Sequence, residues 1–290
     1  MQPFPTTRED VLFALTQLNA EDVGVAAPVE DLQRRLVLAC YHAALPFPAC
    51  LNPEEVMAVY SSMNTSLFDE ESQVAAMSQL AELSKDASNT RAVISTDGVR
   101  RILTAMRTHP ASAGLQAMAC GVLVNIACED SGVRAIVAGG GIHLILAALN
   151  THFSDDCQDP GLQALVNLGL YNRAVSKAML ESAADERALW AMSNHPSLPH
   201  VQSAGSSVLL CLVQWADMTP MYQHIRTVLN GMSAHPLEKS VQKNGCLFLK
   251  FAGKRVITFL QLSEVAAVLF AAKNAHPKLL CLVESVFGCL

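Results

Sequence analysis

Six glutamines recur along the chain, Gln33, Gln73, Gln116, Gln158, Gln202 and Gln242, at intervals of 40, 43, 42, 44 and 40 residues, and Glu284 takes the same slot 42 residues further on. A period of this length describes one supersecondary unit copied about seven times. A single copy cannot bury its apolar face alone, so the copies must stack into a quasi-one-dimensional solenoid. The period overrides the two-domain expectation carried by 290 residues. Residues 1–290 read as one repeat domain whose last unit is incomplete.

The pattern inside each copy is helical. Three residues after the glutamine stand Ala76, Ala119, Gly161, Gly205 and Gly245. Seven after it stand Leu80, Leu123, Leu165, Leu209 and Leu249, and ten after it Leu83, Ile126, Leu168, Leu212 and Ala252. Offsets of three, seven and ten fall on one stripe of an α-helix. The small first position predicts close approach by a helix of a neighbouring copy. A second helix precedes each glutamine helix, over Val99–Met106, Ile142–Leu149, Arg187–Met192, Ile225–Met232 and Val265–Ala272. It ends in a recurring phrase built on His109-Pro110, His152-Phe153, His195-Pro196, His235-Pro236 and His276-Pro277. Proline cannot continue a helix and pushes the preceding residue out of the α region, so each phrase is a stop signal. The histidines are expected to cap the last turn, donating to a carbonyl there. A short helix is expected over Ser88–Thr96, Ser131–Ala138 and Tyr171–Glu181, the first two closed by the glycine-bearing turns Asp97-Gly98 and Gly139-Gly140-Gly141.

Composition narrows the function. Apolar residues make up 51% and charged residues 16%, enough to build a large core, and aromatics only 6%, which suits packed helices better than sheets. The net charge of −6 speaks against a general nucleic-acid or membrane-surface binder. The densest basic run, Lys239, Lys243, Lys250, Lys254 and Arg255, reads as a solvated helix face. Nine cysteines are scattered without a CxxC pair, as expected of free thiols in a reducing compartment, the cytoplasm or the nucleus. No secretory signal and no membrane span is expected. No GxSxG, HExxH or phosphate-loop pattern occurs, Cys40 and His42 diverge at two-residue helical spacing, and the pairs Cys120/Cys128 and Cys281/Cys289 lie too far apart to share a metal. No catalytic residue, metal or cofactor is expected.

Three helices in about 42 residues, the start Gly140-Gly141-Ile142 and the phrases Leu123-Val124-Asn125-Ile126-Ala127 and Leu165-Val166-Asn167-Leu168-Gly169 resemble the armadillo repeat. The resemblance is strongest over about 88–183. The unit around Trp215 to Gln223, with Pro220, looks more like the related HEAT repeat. The resemblance implies an all-α, right-handed solenoid that binds a peptide segment or partner domain along the concave face of its third helices. It also implies that Asn125 and Asn167 bond the backbone of the bound segment; the other reading of the two asparagines is capping or a bond to a neighbouring repeat. The asparagine slot holds His42, Glu82, Cys211 and Phe251 elsewhere. The slots where nuclear-import adaptors of the family carry tryptophan hold Gly121 and Gln163, so a groove for nuclear-localisation signals is not expected. The partner site is expected at Asn125, Asn167, Gly121, Gln163, Cys211 and Phe251, with small, neutral walls at Ala117, Ala164 and Leu170. The alternative role is a spacer or dimerisation arm of a larger signalling or cytoskeletal protein. That role would use the apolar end at Val283, Val286, Phe287 and Leu290, where the array breaks off as a fragment or docks in a homotypic contact.

Overall fold

The computed structural model describes residues 67–252 and 262–289, with parts of 56–63. All of them belong to the compact unit Asn52–Leu290. Gln33, Cys40, His42, Lys254, Arg255 and Leu290 lie outside the described residues. The helices are α1 (Glu70–Leu83), α2 (Ala87–Ser95), α3 (Gly98–Thr108), α4 (Ala113–Ile126), α5 (Asp130–Ala138), α6 (Gly141–Thr151) and α7 (Asp155–Gly169). They continue as α8 (Arg173–Glu181), α9 (Ala184–Asn194), α10 (Pro199–Trp215), α11 (Tyr222–Ala234), α12 (Lys239–Ala252), α13 (Leu262–Ala275) and α14 (Leu280–Cys289). No strand occurs among the described residues.

The helices stack in rows. The glutamine helices α1, α4, α7, α10, α12 and α14 pack each on the next, the second helices α3, α6, α9, α11 and α13 do the same, and α2 packs on α5. Each second helix and the glutamine helix after it sandwich the core, which holds Ile102, Leu123, Ile145, Leu165, Leu209 and Leu249. In the unit after Trp215 the short first helix is absent: residues 216–221 form an irregular connector between α10 and α11. Proline at position 220 and the pairing of Arg173 with Asp217 hold that connector in place of a helix.

The glutamines explain the sharp turn between each second and third helix. Gln116 Nε2 donates to the carbonyls of Met106 (2.9 Å) and His109 (3.0 Å). Gln158 does so to Leu149 and His152 (both 2.8 Å), Gln202 to Met192 (2.7 Å) and His195 (2.9 Å), and Gln242 to Met232 (2.7 Å) and His235 (3.0 Å). One buried amide thus caps carbonyls that the end of the second helix leaves without an intrahelical partner. Glu284 is exposed and takes no such role.

The histidines cap a neighbour rather than their own helix. His109 Nε2 meets the Leu67 carbonyl at 2.8 Å, His152 that of Pro110 at 2.9 Å, His235 that of Pro196 at 2.8 Å and His276 that of Pro236 at 3.1 Å. A carbonyl only accepts, so Nε2 carries the proton in each. The rings therefore tie each turn to the turn one repeat earlier.

The small residues at offset three serve the helix before them. A Cβ on Gly161 would lie 2.5 Å from Leu149 Cδ2, one on Gly205 2.5 Å from Met192 Cγ, and one on Gly245 2.4 Å from Met232 Sδ. Each contact is with the second helix of the same repeat, not with the next copy. The turns before the second helices also differ from the sequence reading. The left-handed residue is Asp97 (φ 63°), Gly140 (φ 73°) or Ala183 (φ 61°). Of these three turns, only the one at 140 takes its positive φ from a glycine. Gly98 serves close packing instead, since a Cβ there would meet the Tyr60 hydroxyl at 2.0 Å. An L-residue with a Cβ is strained in this region, so Ala183→Gly is expected to stabilise the protein by about 0.5–1 kcal/mol, read as a higher denaturant midpoint. An unchanged or lower midpoint would contradict this.

At the C-terminal end Val283 and Val286 are buried within the chain, and Phe287 leans on Phe270 with ring centroids 5.6 Å apart. Two of the apolar residues expected to serve a homotypic contact are thus already covered.

Candidate functional site

The third-helix row presents the same offsets side by side on α1, α4, α7, α10 and α12. Asn125 on α4 is half-buried, and its Nδ2 donates to Ser84 Oγ at 3.0 Å. Asn167 on α7 is also half-buried, and its Nδ2 donates to the Val124 carbonyl at 3.0 Å, with Cys128 Sγ at 3.5 Å. Both amides therefore anchor to the preceding repeat, which holds the side chains in fixed rotamers. The anchor uses the NH2 end only and leaves each Oδ1 as an acceptor on the exposed side. A similar inter-repeat amide recurs at Asn244, whose Nδ2 reaches Ser203 Oγ at 3.0 Å.

Gly121, one turn before Asn125, opens a notch: a Cβ there would have no neighbour within 4 Å. Gln163 is its counterpart on α7, exposed and turned towards Asp159 with Nε2 3.5 Å from Oδ1. Exposed Met118, Cys128 and Leu170 complete the neutral surface around the two asparagines. Ala117 and Ala164, expected as walls, are buried and shape the surface only from beneath.

Cys211 does not belong to this surface. It is 2% exposed, and burial pushes its thiol up to about 12, so neither its side chain nor a thiolate is offered to a partner. The cause is Gly169, which stands where Ala127 stands one repeat earlier. A Cβ at 169 would lie 3.1 Å from Cys211 Cβ, so its absence lets α7 close over that slot. Phe251 on α12 is exposed, in the slot the sequence assigned to it. The expected site is thus reduced to the notch and amides of α4 and α7, with Phe251 two helices further along. Met118 and Cys128 were missed because nothing in their residue type marks them; only their offset from Gln116 places them beside the asparagines.

Charged groups flank this face. Glu82 and Lys85 pair with each other at its start, and the Cys128 thiol is pushed up by partial burial and by the neighbouring Glu129. Among the described residues no group of three His, Cys, Asp or Glu side chains is placed to hold a metal ion. The Cys120 thiol meets Cys157 in the core, and its hydrogen bond with Cys157, together with burial, pushes it well up. No single described helix is long and apolar enough to cross a membrane.

No family model and no curated protein matches the sequence. Solved structures do match the fold. A designed armadillo repeat protein in complex with the peptide (KR)4 superposes with a TM-score of 0.60 at 11% identity, over 80% of this chain and 98% of that one. A second designed armadillo repeat protein gives 0.56 at 13% identity, over 80% and 98%. An engineered protein gives 0.57 at 18% identity, over 96% of this chain and 67% of that one. With helical units stacked in rows and the turns between them capped by Gln116, Gln158, Gln202 and Gln242, the chain has the fold of an armadillo-type α-solenoid.

Proposed function

We propose that this protein is a non-enzymatic binding scaffold whose third-helix row holds an extended, uncharged segment of a partner protein, centred on Asn125 and Asn167. The observation that carries the reading is the pair of pre-oriented amides on adjacent repeats beside the open notch at Gly121. Helices packed about 10 Å apart space the two Oδ1 acceptors by roughly three residues of extended chain. The solved neighbour with (KR)4 supports peptide capture by a fold of this kind. The surface here is neutral and partly apolar, so shape and backbone bonding would select the segment. Met118 and Leu170 would cover apolar side chains, and Gly121 would admit one bulky group.

The asparagines are poor positions for a test, because removing them also removes inter-repeat bonds. Gly121→Arg is cleaner: it fills the notch without touching packed atoms, and it replaces glycine in a helix interior by a better helix former. Peptides enriched from a random display library on the wild-type chain should lose at least about tenfold in affinity for Gly121→Arg, by fluorescence polarisation. They should bind normally to His143→Arg, an exposed change on the second helix α6. Failure to enrich any peptide, or equal binding to both variants, would refute the groove.

A further inference from the structure

The histidine tie between turns is broken at one seam, between α6 and α9. By the pattern of the other repeats, His195 should donate to the carbonyl of Phe153. Instead, His195 Nε2 is buried with no partner. The backbone differs at the same place. His152, which precedes Phe153, has ψ 107°, whereas His109, His195, His235 and His276 have ψ between 55° and 79°. The change falls in the one repeat in which phenylalanine replaces proline after the histidine. The Phe153 ring, 53% exposed, lies on Trp190 at 4.7 Å between centroids.

The same indole covers a second unpartnered donor. Arg187 is 8% exposed, and its Cζ lies 3.9 Å from the centre of the Trp190 ring. Nη1 donates to Asn150 Oδ1 at 2.5 Å, but Nε and Nη2 are buried with no hydrogen-bond partner. These two atoms form the side-on fork of the guanidinium, whose parallel N–H bonds match the two oxygens of a carboxylate. No carboxylate among the described residues pairs with Arg187, and burial pushes its pKa down to about 10. Arg101 takes the same slot on α3, where it lies over Tyr60 at 4.9 Å, but it is only half-buried. A buried cation with an empty fork costs stability unless something fills it.

We propose that the α6–α9 seam is a carboxylate-binding site for an acidic partner segment, with the Nε/Nη2 fork of Arg187 gripping the carboxylate and His195 Nε2–H taking a second acceptor of the same segment. The Arg187 Cζ and the His195 ring centre flank one indole at 3.9 and 6.3 Å, so these two centres lie no more than about 10 Å apart, close to the span of roughly three extended residues. Trp190 and the exposed Phe153 act as the cover and must swing outward to admit the ligand. Phe153 and the alkyl part of the segment would then share the apolar contact that Trp190 gives up. The site sits on the second helices and stands independently of the third-helix groove.

Trp190 and Trp215 are the two tryptophans of the chain, so Trp215→Phe in the full-length protein leaves Trp190 as the sole reporter. The probes are a terminally blocked peptide with one glutamate beside leucine, a peptide whose only carboxylate is its own C-terminus, a neutral blocked peptide and inorganic phosphate. At least one carboxylate peptide should shift Trp190 emission to the red with saturation, and which one does so identifies a side-chain or a terminal source. The neutral peptide should give no shift. Arg187→Lys keeps the charge but loses the fork, and should weaken binding by at least about tenfold. Arg187→Met, which fills the same volume without a charge, should abolish binding while the far-ultraviolet dichroism stays that of the wild type. The proposal is overturned if no carboxylate peptide gives a saturable shift, if phosphate alone does, or if Arg187→Lys and Arg187→Met bind like the parent.

Discussion

Gln158→Glu is expected to destabilise the protein by about 3–5 kcal/mol at neutral pH, although it changes the shape of the side chain hardly at all. Gln158 is fully buried, and its single NH2 group satisfies two carbonyls at the end of α6. A carboxylate there cannot donate, leaves both carbonyls without a partner and faces them with its own negative charge. The penalty depends on pH in a direction that can be stated in advance. Burial against acceptors raises the folded-state pKa of the new glutamate above its unfolded value of about 4.3. The folded state then binds the proton more tightly, so the variant loses stability as pH rises above about 4.3 and is worst above the raised pKa. Below pH 4 the neutral acid can donate to one carbonyl and recovers part of the loss. Gln158→Met removes the donor without adding a charge and should cost about 2 kcal/mol at every pH. Denaturant midpoints of both variants across pH 4–8 check this. A glutamate variant as stable as the wild type at pH 7 would show that the amide is not the cap.

The period of the fold was legible because it is written in residues that no other position can replace cheaply. A glutamine in the middle of an apolar stripe, and a histidine next to a helix-ending proline, stand out against an alanine- and leucine-rich background. What they do was less legible. Gln158 reaches back six and nine residues to carbonyls whose availability depends on where α6 ends. His152 reaches across to a turn 42 residues away. Both partners are set by how the repeats stack, and no local pattern specifies that. The groove shows the same limit. Asn125, Asn167 and Gly121 lie on the exposed side as their offset requires, but Cys211 has the same offset and is buried, because the deciding residue, Gly169, is on the neighbouring helix. The seam at Arg187 had one visible sign, Phe153 in place of proline. Its meaning depended on a backbone angle at His152 and on the ring of Trp190, neither of which the sequence alone could supply.

Gly132→Ala is expected to cost about 3 kcal/mol, for a reason that glycine's flexibility does not explain. Gly132 lies in the first turn of α5 with ordinary helical backbone, where alanine would by itself be favourable by about 1 kcal/mol. The obstacle is the end of α4. A Cβ on residue 132 would lie 2.1 Å from the carbonyl oxygen of Ile126, 2.9 Å from its carbonyl carbon and 2.7 Å from its Cγ2. Backbone cannot rotate away as a side-chain tip can. That carbonyl accepts from Glu129 N at 3.1 Å in the turn joining the two helices, and the Ile126 side chain is fully buried in the core. Making room would break the turn or pull Ile126 from its packing. In two neighbouring repeats the first helix bonds to the preceding helix end one residue further along, through a hydroxyl: Thr90 Oγ1 donates to the Ser84 carbonyl at 2.8 Å, and Ser176 Oγ to that of Gly169 at 2.7 Å. Because an array of repeats opens locally, hydrogen exchange is the sharper measurement. Amides of α4 and α5 should exchange faster in Gly132→Ala while those of α11 and α12 hold their wild-type rates. Uniform protection across the chain would mean that the turn between α4 and α5 can widen without cost, and that the close approach of Gly132 to Ile126 does not hold these two helices in register.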